Sequence, residues 1–134
     1  MMAESVTTPF TGLALARKFF DSIEAGDIQA VIDCYVADPL IWHNIDGKEM
    51  TLADQVAALG FLDTQYPERC FRDRRVNAFE GGFVQQHIFW GRHPDGHEIE
   101  FPACVVCRTR EGRIERLDEY LDSAPFRAPE ESRK

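Results

Sequence analysis

Residues 112–122 read GRIERLDEYLD, with Glu115, Asp118, Glu119 and Asp122 set among Ile114, Leu117, Tyr120 and Leu121. A carboxylate held among apolar groups can carry protons, because desolvation favours its neutral form and suits it to acid/base work near neutral pH. On a strand, successive residues face opposite sides. One face then carries Glu115, Leu117, Glu119 and Leu121, and the other carries Ile114, Arg116, Asp118, Tyr120 and Asp122. Glu119 is the one acid flanked by leucine on both sides of its own face. With that face inward, Glu119 is a general acid or base; with that face at a rim, it reaches solvent or pairs with an arginine. Asp118 and Asp122 share a face with Arg116, which neutralises them in solvent.

Two other strands offer polar partners. In FVQQHIFWG, Gln85, His87 and Phe89 alternate with Gln86, Ile88 and Trp90. A histidine on an interior face can shuttle protons beside a carboxylate, or can simply be held by hydrogen bonds. In LIWHNI, Leu40, Trp42 and Asn44 share a face opposite Ile41, His43 and Ile45. Asn44 has both a donor and an acceptor, so it fits either a water or carbonyl in a pocket, or the backbone before Asp46-Gly47. His43, between two isoleucines, reads as a packing or interface residue. His93 and His97 flank the turn HPDGH and read as exposed, a weak metal pattern.

Cys104 and Cys107 lie in FPACVVCR, a strand pattern that points positions i and i+3 to opposite faces. No metal is therefore expected there, and Cys34, Cys70, Cys104 and Cys107 read as reduced thiols of a cytoplasmic protein. The net charge is −8 and the longest basic run is RDRR at 72–75, which argues against nucleic acid and anionic membranes as partners. MMAESVTTPF lacks the basic and apolar regions of a secretory signal. No stretch approaches the ~18 apolar residues of a membrane span.

These side chains need elements to position them. From Phe10, apolar residues recur at Leu13, Ala16, Phe19, Phe20 and Ile23 with helical spacing, and Gly26 closes that helix. Asp27 can cap a second helix through Ile28, Val31, Ile32, Tyr35 and Val36, which Asp38-Pro39 stops. LIWHNI is a short strand ended by Asp46-Gly47; Thr51 and Asp54 open a third helix to about Gln65. Four strands follow, separated by Glu80-Gly81-Gly82, Pro94-Asp95-Gly96 and Glu111-Gly112. The pattern predicts an α+β fold of three N-terminal helices on a curved, mostly antiparallel sheet, making a cone-shaped barrel with an apolar pocket. It predicts one domain over 10–126, with flexible ends at 1–9 and 127–134. The face bearing Ile88 and Trp90 has no helix left to cover it, so a homodimer through the outer sheet face is expected.

Two helices joined by EAGD, the strand WHNIDG, a third helix and the ending GRIERLDEYLD resemble the nuclear-transport-factor-2-like superfamily, in its SnoaL-like branch. That branch also holds polyketide cyclases, limonene-epoxide hydrolases and ketosteroid isomerases. The resemblance spans about 10–126 and bears on fold more than on activity. Where the epoxide hydrolases keep a Tyr, an Asn and a last-strand acid, this chain has Trp42, Asn44 and Glu119; at their middle-strand Arg and Asp it has about His87 and Phe89. Where the isomerases keep a first-helix Tyr, a basic Asp and a second acid, it has Phe19, Asn44 and about Cys104. Neither full set is present. The cyclases depend on a pocket acid assisted by His or Asn, which Glu119, His87 and Asn44 can supply.

The resulting expectation is a cofactor-independent enzyme of isomerase, cyclase, dehydratase or hydrolase type on an apolar oxygenated small molecule. Glu119, His87 and Asn44 would be catalytic, and Trp42, Phe19, Phe89, Phe101, Leu117 and Leu121 would bind substrate. The alternative is a non-catalytic ligand-binding or dimerisation module, its cone filled by aromatic side chains.

Overall fold

Helix α1 spans Pro9–Ala25 and ends where Gly26 turns to φ +74°, a conformation that costs glycine little. The computed structural model describes residues 9–124; the flexible ends expected at 1–9 and 127–134 lie outside these residues, apart from Pro9. Asp27 caps α2 (Ile28–Asp33) by accepting from the Ala30 N–H at 3.1 Å. The helix is shorter than the periodicity predicts: the chain enters strand β1 (Tyr35–His43) three residues before Asp38. Tyr35 and Val36 are strand-favouring residues that β1 buries, at 2% and 9% exposure. Pro39 lies inside β1, where the pairing register shifts between Tyr35 and Leu40, so its missing N–H is accommodated by an irregularity instead of stopping a helix.

The two-residue strand β2 (Glu49–Met50) precedes α3 (Leu52–Gln65). Thr51 and Asp54 form the reciprocal capping box that the sequence predicts, each side chain binding the other's backbone N–H at 3.1 Å. Four long strands follow: β3 (Glu68–Phe79), β4 (Gly82–Arg92), β5 (Glu98–Arg110) and β6 (Arg113–Leu121). The β5–β6 hairpin turns at Glu111 and Gly112, both at positive φ, the geometry that matches strand twist in a tight hairpin.

Among the described residues, six strands form one open sheet in the order β2-β1-β6-β5-β4-β3, with β2 and β3 at its edges. The barrel predicted from the pattern is thus an open sheet covered by three helices, since nothing among the described residues pairs β2 with β3. All pairings are antiparallel except β1 with β6, which is parallel and sets His43 opposite Glu119. Helix α1 lies over β3 and β4, and α3 lies over β1.

The core gathers Phe19 and Phe20 of α1 with Tyr35, Ile41, Phe83, Val105, Cys107, Ile114 and Leu117. Phe19 meets Tyr35 edge-on at 5.5 Å, and Phe20 meets Phe71 at 5.1 Å. Each buried phenylalanine contributes about 2–3 kcal/mol in area removed from water. Gly82 is required by close approach: a Cβ there would run into the Cys107 carbonyl and the Phe79 ring.

Candidate active site

Between α1, α3 and the helix-covered face of the sheet lies a cavity of about 220 Å³, walled almost wholly by apolar side chains. Phe19, Phe20 and Ile23 come from α1, Leu59 and Leu62 from α3, and Phe71, Phe89, Val105, Leu117 and Leu121 from the sheet. Alternation along β6 turns Leu117, Glu119 and Leu121 to this side together, so Glu119 is set in an apolar wall. Among the described residues, the cavity has three polar side chains, His43, Gln55 and Glu119, and no Lys or Arg.

Glu119 has a partner that the strand pattern does not suggest. His43 Nε2 donates to Glu119 Oε1 at 3.1 Å, with the side chains only 16% and 21% exposed. The hydrogen bond to Glu119 raises the imidazole pKa above its ordinary 6.5, outweighing the opposing effect of burial. Gln55 projects from the first turns of α3 and donates from Nε2 to the buried Tyr35 hydroxyl at 3.5 Å. Burial drives the Tyr35 phenol well above its usual value, so it stays neutral.

His87 is on the same side of the sheet but behind the wall, its ring against Phe20 and Phe71 at 5.3 and 4.6 Å. It is 3% exposed, and burial lowers its pKa from 6.5 to about 4. Gln85 Nε2 donates to His87 Nδ1 at 2.8 Å, which puts the proton of the neutral ring on Nε2. His87 Nε2 and Gln85 Oε1 are buried without hydrogen-bond partners among the described residues.

The other predicted residues divide. Phe19, Phe89, Leu117 and Leu121 line the cavity with Glu119. Phe101 packs behind Phe89 at 5.2 Å between ring centres and belongs to the second core cluster. Trp42 and Asn44 are not on the cavity wall. The inward face of β1 is the Ile41–His43 face, with Ile41 fully buried, because the apolar β-branched residue takes the core and alternation carries His43 in with it. Trp42 stacks edge-on against Tyr120 at 5.3 Å on the opposite side. Asn44 is exposed and ties the strands together: its Nδ2 donates to the Leu121 carbonyl at 3.2 Å, and its Oδ1 accepts from the Leu121 N–H at 2.9 Å.

His43 and Gln55 are the polar cavity side chains that the strand and helix patterns did not single out. Gln55 does have a sequence signal, since it interrupts the apolar stripe Leu52, Leu59, Leu62 on one face of α3. Among the described residues, a cluster able to ligate a metal occurs at His93, Asp95 and His97, on the β4–β5 turn and outside the cavity wall.

Three solved structures of similar shape have 13–18% sequence identity to this chain. AclR, a candidate hydroxylase from Streptomyces galilaeus, superposes with a TM-score of 0.80 at 14% identity, covering 89% of this chain and 80% of its own. A candidate polyketide cyclase from Xanthomonas campestris pv. campestris gives 0.77 at 18%, covering 88% and 95%. IdmH, a candidate polyketide cyclase from Streptomyces antibioticus, gives 0.77 at 13%, covering 85% and 94%. No curated protein matches the sequence. Residues 16–117 match the model of the SnoaL-like domain, a span that includes His43, Gln55 and His87 and stops two residues before Glu119. By that match over most of its length, the chain belongs to the SnoaL-like domain family.

Proposed function

We propose that this protein is a cofactor-independent acid/base enzyme, with Glu119 as the proton-transferring group. It acts on a small, uncharged, apolar substrate bearing a carbonyl or hydroxyl. The observation that carries this reading is the His43–Glu119 pair at 3.1 Å in a cavity otherwise walled by hydrocarbon. His43 engages Oε1 and orients the carboxylate, leaving Oε2 for a substrate or water proton. Gln55 supplies an amide donor for a developing oxyanion. His87 is neutral near pH 7 and sits behind the wall, so in this reading it supports the site by packing on Phe20 and Phe71 and does not supply an imidazolium proton. Among the described residues no Lys or Arg lines the wall, which disfavours carboxylate- or phosphate-bearing substrates. The reaction class is isomerisation, cyclisation, dehydration or water addition, and likeness to candidate polyketide cyclases supports cyclisation among these.

The test is hydrogen–deuterium exchange alpha to the carbonyl in a panel of small cyclic ketones, followed by NMR. The wild-type chain accelerates exchange of at least one ketone, and Glu119→Gln lowers the rate by about 10²–10⁴. Ligand-induced thermal stabilisation without exchange by either chain would support a non-catalytic ligand-binding module instead. In the same reading the protein is a homodimer through the outer sheet face, supported by exposed Leu40 and Tyr120. A reducing, cytoplasmic setting is supported by four unpaired cysteines. No helix among the described residues is long and apolar enough to cross a membrane.

A further inference from the structure

The β4–β5 turn, HPDGH, brings together three metal-ligating side chains that the acid/base reading does not use. As a spacing in sequence it is weak, but the folded turn adds geometry. The His93 N–H donates to the His97 carbonyl at 2.8 Å, and the Gly96 N–H donates to the His93 carbonyl at 2.8 Å, closing the hairpin. Pro94 has its φ set by its ring, and Gly96 takes φ +98°. The His97 N–H donates to Asp95 Oδ1 at 2.9 Å, fixing the carboxylate inside the turn.

The two imidazoles consequently stack, with centres 4.7 Å apart and planes within 18°. Asp95 Oδ1 lies 3.2 Å from His93 Nδ1 and 2.6 Å from His97 Nδ1. One donor atom from each residue lies within 4.8 Å of the others. Bonds of about 2.0–2.1 Å in a tetrahedral zinc site separate ligand atoms by about 3.4 Å, so small rotations suffice. The rings are also held from behind. Tyr66 packs edge-on against both, at 6.0 Å each, and its hydroxyl is 3.5 Å from His97 Nε2. A partner on the far nitrogen is what orients a metal-ligating histidine.

We propose that His93, Asp95 and His97 form a surface site for one divalent transition-metal ion, with Zn²⁺ or Ni²⁺ as the class that two imidazoles and one carboxylate fit. Two nitrogens and one oxygen suit these borderline ions, whereas Mg²⁺ and Ca²⁺ require an oxygen shell. Water fills the remaining positions, for which the half-buried His93 and the exposed Asp95 and His97 leave room. A metal on His97 Nδ1 requires the ring proton on Nε2, so a proton held at Nδ1 against Asp95 moves to Nε2, toward Tyr66, as the ion binds. Binding also replaces the 3.1 Å bond from the Asp95 N–H to His93 Nδ1.

The experiment is calorimetric titration of the tag-free full chain with ZnCl₂ and, separately, NiCl₂, beside His93→Gln, His97→Gln and Asp95→Asn. The expected result is one ion per chain, weakened at least about tenfold by each histidine substitution. Asp95→Asn keeps an oxygen for the His97 N–H and so preserves the turn while weakening the ion. Circular dichroism checks each variant's fold, and a rise in melting temperature with ion concentration gives a second readout. Undiminished binding in His97→Gln would place the ion elsewhere, for instance on cysteine, and overturn the proposal, as would the absence of saturable binding in the wild type.

Discussion

His43 Nε2 and Glu119 Oε1 meet at 3.1 Å because β1 and β6 run parallel with these residues as register partners. The backbone reinforces the match: the Asn44 N–H donates to the Glu119 carbonyl at 3.0 Å. The side chains therefore reach the cavity from neighbouring strands without reaching across it, and their separation is set by sheet spacing.

The pair makes stability depend on pH in a definite direction. Folding raises the His43 pKa above 6.5, so its contribution is fully present below 6.5 and is lost as pH rises through the folded value. His43→Gln should thus destabilise the protein more at about pH 6 than at about pH 9. Urea unfolding at both values measures this, and equal losses would mean that the pair carries no charge-dependent stability.

His87 acts with the opposite sign. Its folded pKa, about 4, lies below the ordinary 6.5, so stability falls as pH drops from 6.5 toward 4. A shift of that size corresponds to roughly 3 kcal/mol over the window. His87→Gln should flatten the acid limb of the stability curve, and an unchanged limb in that variant would count against a buried neutral imidazole.

Asn44 offers a way to tell positioning from chemistry. Asn44→Ala removes two hydrogen bonds to the Leu121 backbone and should cost about 1–2 kcal/mol. Its effect on ketone exchange should be far smaller than that of Glu119→Gln, since Asn44 does not line the cavity. A rate loss equal to that of Glu119→Gln, in a chain of nearly native stability, would return Asn44 to the chemical step.

The outer sheet face can be tested by charge. Leu40 and Tyr120 are 46% and 48% exposed, with Trp42 packed on Tyr120. Leu40→Glu and Tyr120→Glu should each shift sedimentation from dimer to monomer while leaving the circular dichroism unchanged. A monomeric wild type would remove the homodimer from the functional reading.

The fold was legible wherever local chemistry decides. Thr51 and Asp54 mark the α3 start, glycine-bearing turns separate the long strands, and period-two alternation puts Glu119 on the side of Leu117 and Leu121. The readings that missed depended on non-local pairing. Tyr35 and Val36 fit a helical stripe as well as a strand, and β6 draws them into the sheet. The facing of 40–45 is ambiguous because each face of LIWHNI holds apolar and polar residues. Burial of Ile41 against the core resolves it and takes His43 inward. The long reach from β1 to β6 leaves no mark in either segment.

That parallel pairing also sets when the site can exist during synthesis. Asn44 and Leu121, which clamp the two strands, are 77 positions apart. A ribosome finishes the helices, β1 and the β3–β5 meander before β6 is available to join them. Until then β1 has only the two-residue β2 as a sheet neighbour, and His43 lacks its carboxylate. A chain truncated before β6 should carry an exposed strand edge and no His43–Glu119 pair, so that pair becomes available only with the last strand synthesised.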